Sequence, residues 1–125
     1  MLINSKFYTS PSSIQGMGLY SYIDIVKGQV IWTKGPIDIF IDMKDIPIEL
    51  RDYWDRYATV QKYGEAMMYY LDGDECKYMN HSETPNILFK GSIGLALEDI
   101  PANTELTCDY RTITTPEHYE FLMLN

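Results

Sequence analysis

Short apolar runs broken by turn-forming residues occupy the first quarter of the chain. From Phe7 to Thr33 they alternate with Ser10-Pro11-Ser12-Ser13, Gly16-Met17-Gly18 and Lys27-Gly28, a pattern that predicts short strands joined by tight connections. The period then changes. Ile46, Leu50, Tyr53, Trp54 and Tyr57 recur at helical spacing and predict a helix over residues 46–62, with Asp45 as N-cap, Pro47 in the tolerant first turn and Gly64 as the stop. Strand character returns from Ala66 to Leu71, ahead of the turn Asp72-Gly73-Asp74, and Ile87 to Lys90 with Ile93 to Leu97 flank Gly91-Ser92 as a hairpin. Pro116 opens a last segment, Glu117 to Leu124, whose Tyr119, Phe121, Leu122 and Met123 suit a short covering helix.

A faint internal echo lies within this pattern. Asp24-Ile25-Val26-Lys27-Gly28 and Asp99-Ile100-Pro101-Ala102-Asn103 each place Gly or Asn four residues after Asp, and those two residue types tolerate a left-handed backbone best. Two similar turns between strands are expected, although the match is too short to be a repeat.

The chain of 125 residues is read as one domain, 1–125, mostly β with a single helical insert, because two units would each have too little interior. A net charge of −8 repels phosphate backbones and argues against direct nucleic-acid binding. It favours a cationic partner such as a basic peptide, and solubility alone explains it equally well. Cys76 and Cys108 are expected to be free thiols, and Met1 to Lys6 lacks the basic and apolar stretches of a secretory leader. With no run near the ~20 apolar residues of a membrane span, the cytoplasm is the expected compartment, or the nucleus if the source is eukaryotic or viral. Eleven tyrosines are a high number for this length. A phenol joins a flat apolar body to a hydrogen-bonding tip, so some of them are expected to do chemistry as well as packing.

Three polar clusters stand out. The densest is Lys77-Tyr78-Met79-Asn80-His81-Ser82-Glu83-Thr84-Pro85-Asn86, where Asn and His offer donors and acceptors suited to a heterocycle's edge. An Asn/Ser-rich surface loop is the plainer reading of the same residues. The second, Glu105-Leu106-Thr107-Cys108-Asp109-Tyr110, ends a strand-like run in an acid and a phenol; the third, Gly16-Met17-Gly18, allows close backbone approach to a ligand or serves simply as a turn. A zinc site from Cys76, His81, Cys108 and His118 lacks any close ligand pair, thiol chemistry at Cys108 lacks a nucleophile motif, and no glycine-rich loop precedes a helical pattern as phosphate binding would need.

In order and content these clusters resemble the SET-domain lysine methyltransferases over nearly the whole chain. Ile14 to Tyr20 resembles the family's opening glycine motif, Asp24 to Ile31 its next hairpin, Asn80 to Asn86 its central Asn-His-Ser motif, and Ala96 to Ile100 with Glu105 to Tyr110 its closing segment. The resemblance implies a β-clip SET fold: small sheets around a C-terminal pseudoknot, with the helical insert near residues 46–62. It implies S-adenosylmethionine as cofactor, held by Gly16, Met17 and Gly18, by Asn80 and His81 through side chain and backbone, and by Lys77 in a frequently basic place. Tyr110 would be the catalytic tyrosine, with Tyr69, Tyr78 and Tyr110 lining the substrate channel. The substrate would be a lysine on a basic, histone-like protein. No cysteine follows Tyr110, so the zinc-binding region of many members is missing and a metal-free enzyme is expected. Pro116 to Asn125 must close the lysine channel instead, and minimal members of viruses and bacteria, which this chain resembles, can complete their sites by forming homodimers. The competing expectation is an inactive SET-fold module that binds basic peptides, against which the joint presence of Asn80, His81 and Tyr110 argues.

Overall fold

The computed structural model describes residues 1–124. Its strands are the short apolar runs: β1 (Phe7–Pro11), β2 (Met17–Ser21), β3 (Val30–Thr33) and β4 (Ile39–Asp42) come first. A short helix α1 (Arg51–Tyr57) follows, then β5 (Thr59–Tyr63), β6 (Ala66–Leu71), β7 (Asn80–His81), β8 (Ile87–Lys90), β9 (Ile93–Ala96), β10 (Glu105–Cys108) and the terminal helix α2 (Pro116–Leu124). They assemble as three small sheets with strand orders β1-β2-β10-β7, β3-β9-β8 and β4-β6-β5. The mostly β architecture matches the expectation from the sequence, and no helix among the described residues is long and apolar enough to cross a membrane.

The echoed turns face each other. Ile25 and Ile100 exchange backbone hydrogen bonds of 2.9 and 2.8 Å. Each turn's aspartate also serves the other: Asp99 Oδ1 accepts from the Lys27 N–H and Asp24 Oδ1 from the Ala102 N–H, both at 2.8 Å. The left-handed positions are Gly28 (φ +84°) and Asn103 (φ +66°), the two residues that end the matching stretches. Sequence similarity here reflects a reciprocal clasp that fixes the C-terminal segment beside the N-terminal one.

The helix expected over residues 46–62 is corrected. Only Arg51–Tyr57 is α-helical, preceded by a single 3-10 turn at Ile48–Leu50. Ala58 is already extended, and Thr59 to Tyr63 pair with β6 in the register Thr59↔Tyr70 to Tyr63↔Ala66. Asp45 ends a 3-10 turn capped by Asp42, so it is not an N-cap, and Gly64 (φ +59°) turns the β5–β6 hairpin rather than stopping a helix. The reason is tertiary. Ala58 and Val60 are buried while Thr59 and Gln61 are only partly so, an alternation that suits a strand once β6 is there to pair with it. Strand β4, unmarked by any strong signal, is recruited to the other edge of β6 in the same way.

Two apolar clusters result. The larger joins Leu19, Ile31, Ile87, Leu106 and Cys108 beneath the first two sheets; the smaller packs Ile46, Ala58, Val60 and Leu71 around Tyr69, with Trp54 and Tyr57 of α1 against it. Between them lies a buried polar knot at Asp38, whose side chain is 2% exposed. Its carboxylate accepts from the Gly35 N–H (3.1 Å), the Gly73 N–H (3.0 Å), the Tyr70 hydroxyl and the α-ammonium of Met1 (2.9 Å). Burial alone raises its pKa, but these donors and the adjacent positive charge hold it below the usual carboxylate value.

A depressed native pKa stabilises the fold above the unfolded value of about 3.9 and loses that contribution as pH falls through the native value. Asp38→Asn is therefore expected to cost on the order of 1 to 3 kcal/mol at pH 7. Urea unfolding of both proteins should show the gap narrowing as pH falls below about 4.

Candidate functional site

The closing strand β10 runs antiparallel to β2 (Leu106↔Leu19) and parallel to β7 (Thr107↔Asn80, Cys108↔His81). Parallel neighbours must come from distant crossovers, and here the loop after β7 is lashed back by a side chain. Asn86 Nδ2 donates to Glu105 O at 2.9 Å, and its Oδ1 accepts from the Thr107 N–H at 2.8 Å, so one amide replaces a missing strand neighbour. The three clusters singled out in the sequence are thereby brought to one place.

That place is a cleft of about 310 Å³. Gly16, Met17, Lys77, Tyr78, Asn80, His81 and Tyr110 all line it. Gly18 and Tyr69 do not. Gly18 sits one step behind the rim because a Cβ there would lie 2.5 Å from Glu105 Oε2; its small size admits a carboxylate, not a ligand. Gly16 is the residue that needs glycine's backbone freedom (φ +51°) and leaves open space on the cleft side. Tyr69, expected as a channel wall, is fully buried in the smaller core, where its hydroxyl bonds Asp55. The next residue, Tyr70, faces a different cavity.

Asn80 holds the glycine loop in shape. Its Nδ2 faces Gln15 O (3.1 Å), Met17 O (3.1 Å) and Glu105 Oε2 (2.9 Å), acceptors that fix the amide's orientation because only the nitrogen side can donate. Ser12 completes the arrangement by donating to Glu105 at 2.7 Å. Glu105 opens the second polar cluster and Ser12 lies in the turn after β1, but the sequence assigns neither a supporting role here. Nothing in the sequence marks their meeting, since 93 positions separate them.

His81 orients Tyr110. The backbone N–H of Tyr110 donates to His81 Nδ1 at 3.0 Å, so the neutral ring carries its proton on Nε2, which faces Glu83 Oε1 at 3.2 Å. The Tyr110 hydroxyl donates to Met79 O at 2.6 Å. Burial first, and the nearby Cys108 second, push the phenol's pKa well up, so it remains a protonated hydroxyl at neutral pH. Both cysteines are buried and free, and burial raises their pKa values too, which leaves them poor nucleophiles.

A small cavity of about 60 Å³ adjoins the cleft at Tyr110 and lies where a passage between the two sides of the molecule would run. Arg56, Tyr57, Lys77, Tyr110 and Leu122 belong to both the cleft and the passage. At its far end Thr59, Asp72, Phe89, Ile113 and Thr114 are shared with a second cavity of about 330 Å³, which has no lining residue in common with the first. Tyr57 and Phe89 thus stand where the sequence reading expected Tyr69, while Tyr78 lines the cleft alone. Helix α2 covers the passage. His118, 7% exposed, bonds Asp55 O through Nε2 (2.6 Å) and Thr114 Oγ1 through Nδ1 (2.7 Å), and the Thr115 N–H reaches Val60 O at 3.1 Å. These contacts place Leu122 and Met123 on the cleft wall.

Among the described residues the cleft lining carries two cations, Arg56 and Lys77, and no carboxylate, in a chain whose net charge is −8. Such a wall suits a ligand with an anionic group. A sequence description of the SET domain matches residues 16–111. A search of curated proteins gave no match. Among solved structures, one similar fold is a Plasmodium falciparum protein provisionally assigned as a histone methyltransferase, with TM-score 0.59, 23% identity, and coverage of 86% of this chain and 95% of that one. Another occurs in a humanized mutant of the Chaetomium thermophilum Polycomb Repressive Complex 2 bound to an inhibitor, with TM-score 0.63 and 20% identity; 91% of this chain is covered, but only 16% of that one. At such identities the likeness is one of fold. The family match over residues 16–111, well over half the sequence, settles membership: this chain is a SET-domain protein.

Proposed function

We propose that this protein is a methyltransferase that uses S-adenosylmethionine to methylate a lysine side chain of another protein. The observation that carries the reading is a pair of separate cavities with a small one between them that shares wall residues with each, Tyr110 standing on its wall toward the cleft. Two ligands that must meet at one atom need two entrances. A slender alkylamine suits the passage, and the larger cleft suits the cofactor.

The residues present fit that cofactor. Gly16 leaves space for it, Lys77 supplies a cation for an amino-acid carboxylate, and the apolar surfaces of Met17, Leu122 and Met123 lie on the same wall. S-adenosylmethionine would bring an electrophilic methyl group on a positive sulfur. The protein's part is placement. Asn80 and Glu105 hold the glycine loop, His81 holds the backbone of Tyr110, and the Tyr110 hydroxyl, fixed on Met79 O, marks where the amine arrives. A lysine amine has a pKa of about 10.4 in water. Between its charged ends the passage wall presents Tyr57, Met79, Phe89, Ile113 and Leu122, which favour the neutral, nucleophilic form by desolvation. Tyr110 orients without accepting a proton, because its own proton is held firmly.

The acidic chain suits a basic protein substrate, and an inactive binding module would not need Tyr110 at the inner end of a passage. Methylation assays on a lysine-rich protein mixture test the reading. Wild-type protein that binds S-adenosylmethionine yet labels nothing would favour the binding module.

Three variants test the placement of these groups. Tyr110→Phe removes the hydroxyl and leaves Met79 O without its donor, so a melting temperature lower by a few degrees should accompany a fall in kcat. A positioned hydrogen bond of roughly 3 kcal/mol corresponds to about a hundredfold in rate. Full activity would remove Tyr110 from the site. Asn80→Ala should weaken cofactor binding by on the order of 1 to 3 kcal/mol, measured by calorimetry, because the glycine loop loses its tie. Glu105→Gln should do the same more mildly, and unchanged affinity in both folded variants would show that the loop is held by other means.

A further inference from the structure

The proposed lysine passage carries opposite charges at its two ends. Asp72 lines the passage and the second cavity; Arg56 lines the passage and the cleft. Asp72 Oδ1 accepts from the Trp32 indole N–H at 2.8 Å and from the Met1 α-ammonium at 3.3 Å, while no hydrogen bond falls on Oδ2. At the inner end, the half-buried Arg56 makes no hydrogen bond or ion pair among the described residues. The other two arginines are engaged: Arg51 donates to Ile46 O and Met43 O, and Arg111 pairs with Asp109 and Glu83. An unpaired guanidinium in a partly desolvated wall has a field that reaches its neighbours, and it acts on the Tyr110 phenol.

We propose that these two residues form a charge filter for the substrate amine: Asp72 captures the lysine ammonium at the outer end and takes its proton, and Arg56 repels any ammonium that travels on toward Tyr110. The inference rests on the lysine-methyltransferase reading. In the step, an N–H bond of the substrate ammonium breaks and an O–H bond forms on Asp72, leaving a neutral amine with its lone pair free and a neutral carboxyl that returns the proton to water through the second cavity. Burial raises the Asp72 pKa, against the pull of the indole and the α-ammonium, and Asp38 raises it further, which makes the carboxylate a better proton acceptor than an exposed one. The other ionisable groups around it are Lys34 on the second cavity, the Tyr70 phenol, and the Cys76 and Cys108 thiols, which burial keeps neutral. Tyr57, Lys77, Tyr110 and His118 line the passage with Arg56, and Tyr78 and His81 share the cleft with it.

The test begins with binding and needs no turnover. The Trp32 indole N–H reports on Asp72 directly in an NMR titration, with Trp54 as the internal control. At pH 7, n-butylamine should bind the wild-type protein at least severalfold more tightly than 1-butanol, its uncharged counterpart. Asp72→Asn should abolish the preference while leaving butanol binding unchanged. Arg56→Gln, at a residue with no hydrogen bond or ion pair among the described residues, should tighten butylamine binding severalfold. Equal affinity for amine and alcohol in the wild type, or a preference that survives in Asp72→Asn, would overturn the proposal. If Asp72→Asn does not fold, Arg56→Gln decides, and unchanged amine affinity there would overturn it too. On a methylated peptide, the kcat/KM deficit of Asp72→Asn should shrink as pH rises through about 10.4, above which most of the free amine is neutral without help; a deficit constant with pH would mean that Asp72 only anchors Trp32. Loss of all methyl transfer with the amine preference intact would sink the enzyme reading and leave the filter standing as an ammonium-binding device.

Discussion

The amide nitrogen of Asn80 meets two distant parts of the chain at once, the glycine loop and the closing strand, and the cleft depends on that meeting. Gln15 O, Met17 O and Glu105 Oε2 all face it, and the strand that carries Asn80 is itself paired with the strand that carries Glu105. A buried donor without acceptors would cost about 1 to 3 kcal/mol. The glycine loop therefore cannot move away without leaving polar groups unpaired, and Gly18 allows the carboxylate to come close enough to complete the set. The side chain the sequence would assign to ligand contact spends its donor capacity on architecture. Its role toward a ligand is that of a positioning residue.

The same economy governs the inner end of the passage. His81 is used through Nδ1 to hold the backbone of Tyr110, and Tyr110 is used through its hydroxyl to cap a carbonyl. Neither requires an unusual protonation state. His118 performs the corresponding task for α2, bridging Asp55 O and Thr114 so that Leu122 and Met123 complete the cleft wall. Cysteines and zinc are one way to fix a terminal segment; here a buried imidazole with both nitrogens bonded does so.

Charge is distributed against the average. The chain is acidic overall, yet the described residues of the cleft wall include Arg56 and Lys77 and no carboxylate, and Asp72 lies at the opposite end of the passage. Net charge governs encounter over distances near the Debye length of about 8 Å at physiological ionic strength. Within the passage, local burial governs instead, since a half-desolvated charge interacts more strongly than one in water.

The sequence by itself determined the small strands, the hairpin at Gly91-Ser92, the terminal helix after Pro116, the two matching turns and the gathering of Gly16, Met17, Lys77, Asn80, His81 and Tyr110 at one site. These are written in local spacing and turn chemistry, or in motifs that stand intact along the chain. Tertiary structure decided where α1 ends, because Thr59 to Tyr63 has a partner in β6 that no local pattern announces. It also decided that Tyr69 is core and Tyr57 is wall, and that Glu105 reaches Ser12 and Asn80. Those outcomes turn on which strand neighbours which and which face a side chain takes, and both are fixed by contacts between residues far apart in the chain.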